Sequence, residues 1–195
     1  MKMTAAITVL LLGITGMLAA QDGPKWQTQQ IKDPFLGSEV TQYRLEGKYL
    51  AAPRDQDAVP AMMLRCKPQP HGKYDGKLVS AFLYVGNTIV DSQIDYDRAS
   101  RVTTQYRLDD GKVHTGYFYH TRDYKMISLQ PQYCGECTIN DFFYGHEISH
   151  KENTSPQIKK VVLSIPEYLG GNIVIQFDLP DVTEVAKACG ISMHK

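Results

Sequence analysis

Two stretches of this chain alternate between apolar and polar residues with a period of two. Val102, Thr104, Tyr106 and Leu108 interleave with Thr103, Gln105 and Arg107. Ile173, Ile175, Phe177 and Leu179 interleave in the same way with Val174, Gln176 and Asp178. Successive side chains of a strand point to opposite faces, so the pattern calls for strands with one face buried and the other wet. Each stretch borders a turn. Asp110-Gly111 can take positive φ between the first stretch and the aromatic run at 113–119, which predicts a hairpin. Gly170-Gly171 separates 160–165 from 172–179 and predicts a second.

Shorter apolar runs fill out the sheet. Residues 40–50, with Val40, Tyr43 and Leu45 as apolar points, 61–66 ending at Cys66, and 124–129 read as further strands, and 77–85 is a second apolar run, too short to be read as a helix. One helix is expected near the C-terminus. Asp181 stands where a cap would, Val182, Val185, Ala186 and Cys189 share a face at helical spacing, and Gly190 stops it. The expected fold class is mainly β: a small antiparallel β-sandwich or curled sheet with a C-terminal helix packed on it. At 195 residues, the chain has the length of one domain with a sizeable core.

The first twenty residues read as an address rather than as structure. Lys2 precedes an uncharged apolar run that ends in the small residues Ala19-Ala20, and Gln21-Asp22-Gly23-Pro24 then breaks it. This is the pattern of a secretory signal, and the run is too short for a comfortable membrane span. The expected organisation is a signal at 1–20, then one β-rich domain over 21–195 with no membrane-spanning segment and a Cys/His loop at about 131–156. The expected location is the periplasm or the extracellular medium. Lys plus Arg and Asp plus Glu number 21 each, with no basic stripe, so a nucleic-acid partner is not expected.

Export makes the four cysteines legible as a disulfide framework. Cys66, Cys134, Cys137 and Cys189 allow three pairings, and buried free thiols are the alternative. The simplest pairing joins the close neighbours Cys134 and Cys137 and leaves Cys66 with Cys189.

The order of several short pieces resembles a known family. Trp26, Asp33-Pro34, Gly37-Ser38, Leu64-Arg65-Cys66, the run from Tyr106 through Arg107-Leu108-Asp109-Asp110 to Gly111, Phe177-Asp178-Leu179 and Ala188-Cys189-Gly190 follow one another. In this order they resemble the small periplasmic accessory proteins associated with type VI secretion. The resemblance implies a non-catalytic envelope protein that works with a protein partner and pairs its first and last cysteines, here Cys66 and Cys189. It brings no catalytic residues. The chain departs from the family between Gln130 and Pro156, where Cys134, Cys137, His146 and His150 fall in what reads as an insertion.

That insertion holds the chemistry-bearing motifs. His146-Glu147-Ile148-Ser149-His150 matches the pentapeptide of zinc peptidases, in which two His bind the metal and the Glu acts on its water. A catalytic zinc needs a third protein ligand, and no second motif offers one. A metallopeptidase using His146, Glu147 and His150 is therefore the alternative function rather than the leading one. Cys134 and Cys137 are spaced as in thiol oxidoreductases but lack the βαβ surroundings of those enzymes. Taken together, Cys134, Cys137, His146 and His150 supply the four N/S ligands of a structural zinc site. The reading preferred here has no cofactor and a local Cys134–Cys137 disulfide, since thiols in an exported protein are normally oxidised.

Overall fold

The structure, a computed structural model, describes residues 23–32, 37–51, 58–68, 76–86, 93–95, 98–121, 125–129, 139–144, 157–167 and 170–191. In chain order the elements begin with β1 (Gln27–Lys32), β2 (Glu39–Glu46), β3 (Lys48–Ala51), β4 (Ala61–Pro68), β5 (Gly76–Tyr84) and β6 (Gln93–Asp95). They continue with β7 (Arg98–Leu108), β8 (Val113–His120), β9 (Met126–Ser128), α1 (Ile139–Tyr144), β10 (Lys160–Pro166), β11 (Asn172–Asp178) and α2 (Thr183–Cys189). The fold is mainly β, as the alternation requires.

All strands belong to one antiparallel sheet, with β6 attached to β7 at the side of a path that runs β1-β2-β4-β5-β9-β8-β7-β10-β11-β3. This order forces the sheet to curl. Only Gly47 separates β2 from β3, yet the two strands stand eight steps apart in the path. Eight steps in a flat sheet would span about 38 Å at about 4.8 Å per strand. One residue reaches at most about 3.6 Å. The sheet therefore rolls until its far end returns to β2. Among the described residues no ladder joins β1 to β3, so the roll is completed by the backbone at Gly47 and not by hydrogen bonds between the end strands.

Packing at the bend explains why a glycine stands there. The Gly47 N–H donates to the Pro60 carbonyl at 2.8 Å. A Cβ on Gly47 would lie 2.7 Å from the Phe177 ring and 2.9 Å from the Gln176 carbonyl. Tyr49 of β3 reinforces the return, its hydroxyl lying 2.9 Å from the Val85 carbonyl and 3.1 Å from that of Ala58.

The core lies inside the curl. Met62, Leu64 and Cys66 of β4, Leu83 of β5, Phe118 of β8, Leu163 of β10 and Ile175 of β11 all belong to one buried cluster. The alternation holds on β11, where Ile173, Ile175 and Phe177 are fully buried between half-exposed neighbours. Both expected hairpins form, β7 with β8 and β10 with β11. α2 packs on β4 and β5 and adds Val182, Val185, Ala186 and Cys189 to the cluster.

Three local expectations are corrected, and the polar stretch at 27–32, which no alternation marks in the sequence, forms β1 and pairs along its whole length with β2. The first alternating strand starts at Arg98 rather than Val102. The residue with positive φ in the β7–β8 turn is Asp109, at 48°, one position before the Asp110-Gly111 pair. Finally, the 131–156 stretch is not loop throughout, because α1 lies within it and sends Ile139, Phe142 and Phe143 into the main core.

Candidate functional site

Cys134, Cys137, His146, Glu147 and His150 lie outside the described residues, as do Asp33-Pro34 and residues 1–20, where the sequence pattern leads one to expect a secretory signal. Among the described residues, no three His, Cys, Asp or Glu side chains come together as a metal-binding group. No helix among them is long and apolar enough to cross a membrane.

Cys66 and Cys189 are bonded to each other across a sequence separation of 123, with Cα atoms 4.9 Å apart. Their meeting follows from two periodicities. On β4 a step of two aligns Cys66 with Met62 and Leu64 on the core side, and on α2 the helical step aligns Cys189 with Val185 and Ala186. The helix is fixed at both ends. Val182 is the cap residue and has no side-chain cap bond, which corrects the expectation for Asp181. Asp181 acts one position earlier, where its Oδ1 accepts from the Thr183 backbone N–H at 2.9 Å and from the Thr183 hydroxyl at 2.7 Å. These bonds hold the Asp181 carboxyl below the usual carboxylate range. Gln157 clamps the same end, donating to the Pro180 carbonyl at 2.7 Å and accepting from the Val182 N–H at 3.2 Å. Gly190, at φ 63°, closes the helix, and the Ile191 N–H returns to the Ala186 carbonyl at 2.8 Å.

Several of the short motif pieces do structural work. Asp109 Oδ1 accepts the backbone N–H groups of Lys159 and Lys160 at 2.9 and 2.8 Å, and the Asp109 N–H donates to the Lys160 carbonyl at 2.8 Å. The turn is thereby tied to the start of β10. Asp110 adds an exposed ion pair with Lys160 at 3.0 Å, whose hydrogen bond and charge lower the Asp110 carboxyl. In Phe177-Asp178-Leu179 the two apolar side chains are buried, and Asp178 accepts from Lys48 of β3 at 3.0 Å and from Gln176. Burial works to raise the Asp178 carboxyl, and the bonds from Lys48 and Gln176 with the charges of Lys48 and Lys160 outweigh it, so the carboxyl is lowered. Trp26 meets Phe143 edge to face, with centroids 6.1 Å apart.

The aromatic residues of α1 serve the main core. Phe142 and Phe143 are fully buried, and Phe142 packs on Tyr106 with centroids 5.5 Å apart. The phenol of Tyr144, at the end of α1, is raised by burial and then by the charge of Asp181. Tyr43 on β2 is likewise raised by burial and then by Glu184 of α2. His114 stacks on Tyr106 at 5.3 Å, and His120 Nδ1 lies 2.8 Å from the Thr121 carbonyl.

Two surface features remain. On the outer face, strand registers place Arg44, Met63, Phe82, Ser128 and Tyr119 in one row across β2, β4, β5, β9 and β8. Arg65 lies beside this row, with its guanidinium carbon 5.8 Å from the Phe82 ring centroid and its Nε donating to Gln42 at 3.1 Å. The second feature is β1, which ends the sheet path and exposes five of its six side chains. Sequence reading missed β1 because its residues, Gln-Thr-Gln-Gln-Ile-Lys, carry no apolar alternation.

Comparison with protein-family models, with curated proteins and with solved structures finds no match to this chain.

Proposed function

We propose that this chain is an exported, non-catalytic accessory or interaction protein of the cell envelope, associated with type VI secretion and working with a protein partner. The observation that carries the reading is the Cys66–Cys189 bridge, the pairing that the family resemblance implies. A bridge between such distant segments suits an oxidising compartment, and the leader at 1–20 supplies the route to it. The compartment is then the periplasm or the extracellular medium. The shared motif pieces fit the same reading, since Asp109 and Asp178 spend their carboxylates on scaffold contacts. Oxidation also favours a Cys134–Cys137 disulfide over a zinc ion held by Cys134, Cys137, His146 and His150.

The test is fractionation of the native host together with deletion of the gene. The protein is expected outside the cytoplasm with Cys66 and Cys189 bonded, and its loss is expected to reduce type VI secretion. Recovery in the cytosol with both thiols free would overturn the reading. The zinc-peptidase alternative is separated by Glu147→Gln: peptide hydrolysis that this change abolishes while bound zinc remains would replace the accessory reading with the catalytic one.

A further inference from the structure

We propose that two copies of this chain join antiparallel through their β1 edges, extending the curled sheet across a two-fold axis. The inference stands independently of the envelope role.

β1 ends the sheet path, and among the described residues nothing pairs with its second edge. Its register with β2 runs without a shift from Gln27 to Lys32, so the strand is regular over its whole length. A regular edge strand offers a row of free N–H and C=O groups to any strand that lies beside it. Proteins usually blunt such edges with proline, bulges or dense lysine. β1 has none of these beyond Lys32 at its end. The opposite end of the path is better protected. β3 has four residues, its register shifts between Val174 and Ile175, and its Lys48 is paired with Asp178.

The occupant follows from the chemistry of β1. Residues 27–31 carry no charge, so the edge does not select a charged foreign strand. The amides of Gln27 and Gln29 each carry donors and an acceptor, and that of Gln30, which donates to the Thr41 hydroxyl of β2 at 2.9 Å, keeps a second N–H, so the strand is complementary to itself. Two-fold symmetry normal to the sheet requires facing residues to share a side of the sheet, so the register is centred on a residue, and the two registers that pair most of β1 are centred on Gln29 and on Gln30. The first sets Thr28 against Gln30 and Gln27 against Ile31. The second sets Gln29 against Ile31 and Thr28 against Lys32. Neither brings Lys32 against its own copy, so no like charges face each other.

The experiment is sedimentation equilibrium of the exported, oxidised protein over a concentration series. A monomer–dimer equilibrium is expected. The double substitution Gln29→Lys with Gln30→Lys places two ammonium groups opposite each other in either register, and should raise the dimer dissociation constant about tenfold or more. Val113→Lys, on an exposed position of β8, should leave it unchanged. A protein that stays monomeric at every concentration overturns the proposal, as does a dimer indifferent to the double substitution. Hydrogen exchange on the unaltered protein is a second measurement that needs no variant. Protection of β1 amides should rise with concentration, and protection independent of concentration also overturns the proposal.

Discussion

Asp109 combines two requirements that rarely fall on one side chain. Its φ of 48° lies in the left-handed region, and its carboxylate holds two successive backbone N–H groups from the start of β10. Aspartate tolerates that conformation better than most residues, and a free carboxylate is the acceptor that paired amides need. Substitution separates the two terms. Asp109→Gly keeps the conformation and loses the acceptor, and should cost about 1–2 kcal/mol in urea unfolding, given the net worth of one exposed and one part-buried hydrogen bond. Asp109→Ala loses both and should cost about 1 kcal/mol more. Equal losses in the two variants would show that the conformation contributes nothing. The turn itself was legible in the sequence through Asp110-Gly111. The displacement of positive φ to Asp109 was not, because its cause is a pair of amides at 159 and 160, fifty positions along the chain.

The elements differ in how openly the sequence declares them. β7 and β11 alternate over enough residues to be read directly, β8 and β10 follow from the turns that join them to those strands, and α2 has both a sided pattern and a stop glycine. α1 has six residues, too few for a helical period to appear, and β1 is a polar edge strand without a buried face to mark it. The bend between β2 and β3 was also hidden, since nothing local distinguishes Gly47 from a glycine in a loop. Its reason is the Phe177 ring and the Gln176 carbonyl that β11 brings to it. Gly47→Ala should therefore cost about 1–3 kcal/mol, the usual range for forcing atoms into a packed site, measured as a shift in denaturant midpoint. Beside the bend, Lys48 and Asp178 link β3 to β11 across the surface. Because the Asp178 carboxyl is lowered in the folded chain, the stability it lends is fully present above the ordinary carboxylate range. That contribution is lost as pH falls through that range and through the lowered value. The pair is exposed, so the effect should be at most about 1 kcal/mol. Asp178→Asn should flatten this part of the acid-unfolding curve, and an unchanged curve would remove the pair from the account.

At the scale of the whole molecule, the curl of the sheet and the Cys66–Cys189 bridge together hold the two ends of the fold against one core. Reduction should cost about 2–5 kcal/mol, the usual worth of a native bridge in a small domain, and calorimetry of oxidised and reduced protein measures it. The pairing was legible because Cys134 and Cys137 are close neighbours, which leaves Cys66 with Cys189, and because the helical spacing puts Cys189 on the core-facing side. The Cys134, Cys137, His146, Glu147 and His150 group was legible only as spacing, which identifies the available ligands but not whether they converge. The bridge has a further consequence, a mechanical one. Force applied across the molecule from segments outside the bridged loop passes through the sulfur–sulfur bond and never loads the residues between Cys66 and Cys189. A stretched oxidised molecule should thus yield only the segments outside that loop, β1 to β3 among them. Reduction should release a further extension of about 400 Å, the contour of a sequence separation of 123 at about 3.3–3.6 Å per residue.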